Sequence, residues 1–224
     1  MKTSVVIPIH PPHIKYLART LSNLSNQTKM PDEVIIAMSE YTTNISQQLQ
    51  TIVNESKHTY DVLISPSTKK QNASQNRNRG SKTATGDMVL FIDADDLTHI
   101  QKIEIMSNLF MTHPDMNLCV HNYHYISANT IINNQNITNK INDFILINNE
   151  VILAKTPTTG TTNLSAGDNY HIHHGHSTVR KHVLDKISFN ENMGYGEDGD
   201  FCRRILYNIG GVYYIAEKLM IYIK

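Results

Sequence analysis

Apolar and polar positions along this chain alternate between two periodicities. Residues 4–9 form a short apolar run that His10-Pro11-Pro12 stops, after which Ile14, Leu17, Leu21 and Leu24 recur at helical spacing. The same unit then repeats. Pro31-Asp32 opens a second apolar run over residues 33–38, and Ile45, Leu49, Ile52 and Val53 mark an amphipathic helix. A third strand is predicted over residues 61–64, then a polar stretch, a helix carrying the small residues Ala73, Gly80 and Ala84, and a fully apolar run over residues 88–92. Strands that alternate with helices predict a parallel sheet covered on both faces.

Beyond that run a helix is predicted over residues 100–111, a strand over 118–126, a strand over 177–180, a helix over 181–187 and a helix ending at Asn208. Between them the pattern loosens. Residues 129–167 hold only short Ile-rich pieces, and residues 156–167, rich in Thr and Gly, read as a lid or binding loop or as a disordered one. The pattern does not separate these.

Composition narrows the function classes. With 224 residues, one α/β domain with a substantial core is expected. Lys and Arg number 20, as do Asp and Glu, so the chain lacks the electrostatic footprint of a nucleic-acid or anionic-membrane binder, and any anionic substrate must be held locally. Cys119 and Cys202 are too few and too isolated for a disulfide framework or a thiolate metal site. The first apolar stretch is too short for a signal peptide or a membrane span, so a cytoplasmic protein without an integral membrane segment is expected. Without an export signal the several Asn-x-Ser/Thr triplets are expected to be unmodified.

Two acidic clusters carry the candidate chemistry. The apolar run 88–92 ends in Asp93-Ala94-Asp95-Asp96. In open α/β sheets ligands sit beyond the carboxyl ends of strands, and three carboxylates within four residues repel one another unless a cation intervenes. A hard divalent cation carrying phosphates suits them; an acidic turn or helix N-cap reads equally well from the run alone. The second cluster, Glu197-Asp198 with Asp200, follows Gly194-Tyr195-Gly196 and precedes the helical apolar positions Phe201, Ile205 and Leu206. Carboxylates are favoured at a helix N-terminus in any case, and a general base at a cleft is the alternative.

Taken together, the clusters and their flanks resemble the family 2 glycosyltransferases of the GT-A fold. The resemblance rests on five motifs in order: Ser4-Val5-Val6-Ile7-Pro8-Ile9; Gln75-Asn76-Arg77-Asn78-Arg79-Gly80; Thr85-Gly86-Asp87; Phe91-Ile92-Asp93-Ala94-Asp95-Asp96; and Gly196-Glu197-Asp198-Gly199-Asp200-Phe201. It implies an α/β GT-A fold with a Rossmann-like, mostly parallel central sheet flanked by helices. One domain would span residues 1–224, with 1–98 binding a nucleotide sugar and 99–224 binding the acceptor.

The implied reaction is inverting transfer of a sugar from a nucleotide-diphosphate sugar to a hydroxyl of a glycan or other acceptor, with Mn2+ or Mg2+ at the DxD motif. By resemblance Asp95 is the principal metal ligand, and Asp93 lies near the donor ribose and the metal. Pro8, Ile9 and His10 hold the nucleoside largely through main chain, Ala94 belongs to the same donor site, and Arg77 contacts base or phosphate. Asn78 and Gly80 are architectural. Asp198 corresponds to the general base, with Glu197 as acceptor ligand or support.

One position departs from the family pattern: Ser39-Glu40 stands where a pair of aspartates often holds the base, so Ser39 and Glu40 are the candidates there. UDP is the first choice of nucleotide. In His171-Ile172-His173-His174-Gly175-His176, zinc is disfavoured because no cysteine lies nearby, and His174 or His176 either reaches the metal or diphosphate or lines an acceptor loop. Arg180 is a candidate phosphate contact. Two rival functions are a haloacid-dehalogenase-type phosphatase, with Asp93 as nucleophile and Asp95 as acid/base, and a noncatalytic nucleotide-sugar-binding module.

Overall fold

A computed structural model describes residues 1–126, 153–155 and 177–223. The irregular stretch 156–167 and the histidines from His171 to His176 lie outside the described residues.

The opening half alternates as its sequence predicts: β1 (Thr3–Ile9), α1 (Ile14–Ser25), β2 (Glu33–Met38), α2 (Thr43–Glu55), β3 (Asp61–Pro66), α3 (Ala73–Thr83) and β4 (Met88–Phe91). The four strands run parallel in the order β3-β2-β1-β4. β1, β2 and β4 are buried along their whole length because both faces are covered. Side-chain alternation divides the core in two. Val5, Ile7, Val34, Ile36, Met88 and Leu90 point into one apolar cluster with Leu17, Leu21 and Leu49 of α1 and α2. Val6, Ile35, Val89 and Phe91 point into the other.

The second half adds β5 (Leu97–Thr98), α4 (Lys102–Thr112), β6 (Leu118–Ile126), β7 (Leu153–Lys155), β8 (Ser177–Arg180), α5 (Lys181–Leu184), α6 (Glu197–Asn208) and β9 (Val212–Ile223). The sheet continues from β4 through β8, β6 and β9 to β5, and its character changes. β8 runs antiparallel to both β4 and β6, whereas β6 and β9 are parallel. The α6 residues Phe201, Cys202, Ile205 and Leu206 fill the second core cluster.

Among the described residues the structure adds strands that the pattern does not predict and shortens one helix. Apolar periodicity predicts nothing after residue 208, yet β9 is a long strand, and its apolar run acquires strand pairing from three distant partners: β5, β6 and β7. The two-residue β5 is defined only by that pairing. The helix expected over residues 181–187 stops at Leu184, because Phe189 is drawn into the core and both main-chain groups of its peptide are captured by Asn78: the Phe189 N–H donates to Oδ1 (2.8 Å) and its carbonyl accepts from Nδ2 (3.0 Å).

Two contacts fix the frame beneath the site. Gly80 lets α3 lie directly on the sheet, since a Cβ there would sit 2.5 Å from the Val6 side chain and 3.2 Å from that of Ala37. Glu33 ties three segments together at the other end of the strands. Its carboxylate accepts from the Ser4 hydroxyl (2.6 Å), the Thr85 N–H (2.6 Å) and the Thr85 hydroxyl (2.7 Å), while Gly86 N–H donates to the same Ser4 hydroxyl (2.8 Å). The Thr-Gly-Asp motif is therefore a brace between β1, β2 and β4.

Burial alone would raise the Glu33 pKa, but the Ser4 and Thr85 hydrogen bonds and the Lys2 ammonium outweigh it and bring it from 4.5 down to about 2. A depressed carboxylate stabilises the fold fully above its unfolded value and loses that contribution as pH falls. Glu33→Gln is therefore expected to lower the denaturation midpoint at pH 7 and to flatten the wild-type loss of stability between about pH 4.5 and 2. Urea titrations of both proteins at several pH values measure this.

Candidate active site

The carboxyl ends of β1, β2 and β4 open into one cleft of about 530 Å³. Pro8, Ile9 and His10 line it from β1 and the residue after it; Asp93, Ala94 and Asp95 line it from the turn after β4. Arg77 of α3 and Glu40 after β2 add to the walls. Ser39 lies beneath the lining, fully buried, with its N–H and hydroxyl directed at the Ile9 carbonyl (3.1 and 3.5 Å). Glu40 is the residue that faces the cleft, and it does so from a left-handed backbone conformation (φ 53°).

The acidic turn is shaped from behind by α1. Arg19 donates to the Asp95 carbonyl and Thr20 to the Ala94 carbonyl (2.6 Å). Asn23 exchanges two hydrogen bonds with the Thr98 main chain (2.7 and 3.0 Å), and Gln27, just past the helix, donates to the His99 carbonyl (2.8 Å). Thr20, Asn23 and Gln27 are buried polar residues at helical spacing beside the apolar stripe of α1. That polar stripe is the sequence signal that a reading of apolar positions passes over.

Arg77 joins the two acidic clusters. Its side chain is only 2% exposed, and its Nη2 donates to Asp93 Oδ1 (2.8 Å) while Nη1 lies 3.5 Å from Glu197 Oε1. The guanidinium also lies over the Phe189 ring, 5.7 Å from its centre, and that ring stacks on Phe201 of α6 at 4.0 Å. Arg77 is thus a buried cation at the meeting point of α3, the acidic turn and α6. Its Nε makes no hydrogen bond to the described residues.

The second cluster sits on the first turn of α6, which starts from a left-handed turn at Gly196 (φ 75°). Glu197 is tied to the cleft through Arg77, and Asp198 follows it, partly buried, outside the cleft lining. Asp200 points along its own helix and pairs with Arg204 (2.7 Å). For Asp200 the helix-terminal role is sufficient.

Electrostatics within the turn oppose three free charges. Burial, then the neighbouring Asp93 charge, raises the Asp95 pKa, with His13 and Arg19 acting in the opposite direction. Burial and Asp93 push Asp96 well above the usual carboxylate range. Asp96 is buried, accepts the Ile223 N–H (3.1 Å) and faces Lys102, whose ammonium is lowered to about 7 by complete burial. At the cleft rim the His10 and His13 rings lie 4.2 Å apart, and burial together with the His13 charge lowers the His10 pKa.

One sequence expectation is corrected. Arg180 is a structural clamp, with Nε donating to the Met116 carbonyl (2.7 Å) and Nη2 to those of Phe110 (2.7 Å) and His113 (3.2 Å). It stands opposite Met88, at the end of β4 remote from the acidic turn, so it cannot serve a phosphate at that turn. His176 lies outside the described residues. Among those residues no group of three or more His, Cys, Asp or Glu side chains converges as a complete metal site.

The family model described as "Glycosyl transferase family 2" matches residues 4–188. The chain belongs to glycosyl transferase family 2. This membership displaces the phosphatase alternative. A Haemophilus influenzae protein named "Uncharacterized glycosyltransferase" is 30% identical over 101 residues, 45% of this chain and 32% of the relative. The crystal structure of S. aureus TarS residues 1–349 in complex with UDP-GlcNAc superposes with a TM-score of 0.71 at 17% identity, covering 100% of this chain and 59% of that one. The corresponding UDP complex gives 0.70 at 17% identity, covering 100% of this chain and 61% of that one. A mycobacterial protein gives 0.59 at 15% identity, over 98% of this chain and 66% of that one. The family 2 chain therefore has the GT-A fold of these neighbours and spans about a third of the curated relative and three fifths of these TarS chains.

Arg77→Ala would leave Asp93 and Glu197 without their shared cation, and the expected loss of stability is about 3 kcal/mol. Arg77→Lys keeps the charge but lacks the fork that spans both carboxylates, so it should recover only part of that loss. Chemical denaturation of the two variants beside wild type reads both numbers.

Proposed function

We propose that this chain catalyses metal-dependent, inverting transfer of a sugar from a nucleotide-diphosphate sugar, UDP-linked by first choice, to an acceptor hydroxyl. The observation that carries the reading is the convergence, through Arg77, of the acidic turn and the first turn of α6 at one cleft of a family 2 chain. TarS, which shares the fold, has been crystallised with UDP and with UDP-GlcNAc, which supports UDP as the donor nucleotide.

In this reading the first 98 residues hold the donor, and the acceptor approaches from the side of residues 99–224. Main chain at Pro8, Ile9 and His10 receives the nucleoside, and Glu40 faces its base or ribose, with Ser39 supporting the strand end beneath. Asp93 and Asp95 would hold Mn2+ or Mg2+, with His176 as a further candidate ligand. The fit is chemical: hard carboxylate oxygens, with Asp95 disfavoured as an anion by burial and by Asp93, gain from a nearby divalent charge. When bound, such an ion neutralises charge on the departing diphosphate.

The protein's own groups supply the remaining steps. The acceptor oxygen attacks the anomeric carbon from the face opposite the nucleotide and forms the new C–O bond as the bond to the diphosphate oxygen breaks. Asp198 accepts the hydroxyl proton, and Glu197, fixed by Arg77, orients the acceptor. Burial of Arg77 keeps positive charge beside the diphosphate in a low-dielectric setting, where it counts for more than in water.

Asp198→Asn is expected to reduce transfer by at least about a hundredfold while leaving UDP affinity unchanged. UDP release in the presence of acceptor glycans, set beside calorimetric UDP binding, checks it; transfer that persists in the variant would remove Asp198 from the base role. Asp95→Asn should abolish the gain in UDP affinity on adding Mn2+, and a variant that still gains as much as wild type would refute Asp95 as a metal ligand. Isothermal titration with and without Mn2+ measures that difference.

A further inference from the structure

The outer end of β9 reaches the cleft, although nothing in the motif pattern points to it. Tyr222 and Ile223 line the same space as Asp93, Ala94 and Asp95. Their position is fixed twice over. Ladder pairing places Ile221 opposite Leu97 and Met220 opposite Thr98, so β9 is bonded to the two residues that follow the acidic turn. One step further, the Ile223 N–H donates to Asp96 Oδ1 at 3.1 Å. Met220 and Ile221 are buried, Tyr222 is partly exposed, and alternation along the strand turns the Tyr222 side chain away from the face that buries Ile221. Tyr123 of the neighbouring strand meets the Tyr222 ring edge-on at 6.0 Å.

We propose that Tyr222 is a donor-binding residue on the diphosphate and sugar side of the cleft, and that Asp96 is its positioning residue. The proposal rests on the nucleotide-sugar reading above and adds to it a contact from the last described strand. The position along the cleft is what separates diphosphate from base. Glu40, Lys70, Gln71 and Asn72 form the part of the lining contributed by the segments after β2 and β3, whereas Tyr222 arrives with the acidic turn. A tyrosine hydroxyl carries its proton at neutral pH and can donate to a phosphate oxygen or a sugar hydroxyl. The same arrangement explains why the third carboxylate of the acidic run is buried: Asp96 faces away from the cleft and holds the strand that supplies the wall.

The chain contains no tryptophan, so Tyr222→Trp places a sole indole emitter at this point. The variant is titrated with uridine, UDP and UDP-GlcNAc in Mn2+, with calorimetry on the same samples and on wild type. UDP and UDP-GlcNAc should change the emission and uridine should not; a folded variant that loses UDP binding while wild type retains it has the same meaning. UDP binding with unchanged emission overturns the proposal, and so does an equal response to uridine, which would put the side chain at the base. Absence of heat from every nucleotide with wild type would instead sink the nucleotide-sugar reading, and this inference with it.

Two conservative variants, with Asp96→Ala as the contrast, test the components. Tyr222→Phe should weaken UDP by roughly fivefold, the loss of one hydrogen bond to a charged group partly replaced by water. Unchanged affinity overturns the hydroxyl's part. Asp96→Asn retains an acceptor oxygen for the Ile223 N–H, and in the Tyr222→Trp background it should keep the emission response, whereas Asp96→Ala should lose it. An equal response from the two removes Asp96 from the positioning role.

Discussion

Everything at this cleft depends on one buried guanidinium. Asp93 follows the central strand, Glu197 opens a helix far along the chain, and each carries a charge that would repel the other if they simply met. Arg77 makes their meeting favourable, and the Phe189 ring beneath it supplies an aromatic face that a buried cation can use in place of water. The fold serves this placement. Gly80 brings α3 down on the sheet so that Arg77 arrives at the strand ends, and Asn78, two residues before Gly80, binds the Phe189 peptide that leads towards α6. Three residues within about one turn of a single helix, Arg77, Asn78 and Gly80, therefore hold α3 to the acidic turn, the Phe189 segment and the sheet.

The opening half of the chain was largely legible in the sequence because its information is local. Buried parallel strands must be apolar throughout, helices between them must be amphipathic, and the ends of such strands are where charged residues gather. The acidic clusters and the Arg-Asn-x-Gly segment could be found for the same reason. What could not be read was long-range. No periodicity shows that Arg77 is buried rather than solvated, since that depends on residues more than a hundred positions away. β9 and β5 exist as strands through their pairing with each other and with β6, and the orientation of Arg180 follows from the antiparallel insertion of β8, which sends its side chain to the carbonyls of α4 and the loop after it.

The character of the sheet changes at β8. Parallel strands with helical crossovers make a rigid floor, and the family match, over residues 4–188, covers that floor and runs on through β8. From β8 onward the strands run in mixed directions and present polar and aromatic side chains such as Tyr123, His124 and Tyr222. Such a surface is easier to vary, because an antiparallel insertion can change its loops without disturbing the crossovers that fix the floor. The shared fold with TarS at 17% identity is in keeping with this division.

The way α1 grips the acidic turn has a consequence for how this sequence can drift. Arg19, Thr20, Asn23 and Gln27 hold the turn by its peptide groups, chiefly the carbonyls of Ala94, Asp95, Thr98 and His99. The curve of the turn is thus encoded outside the turn itself. A lineage can exchange the small residue between the two aspartates, or recruit a different carboxylate geometry, while inheriting the same backbone path; the helix preserves the shape and leaves the turn's side chains free to explore chemistry.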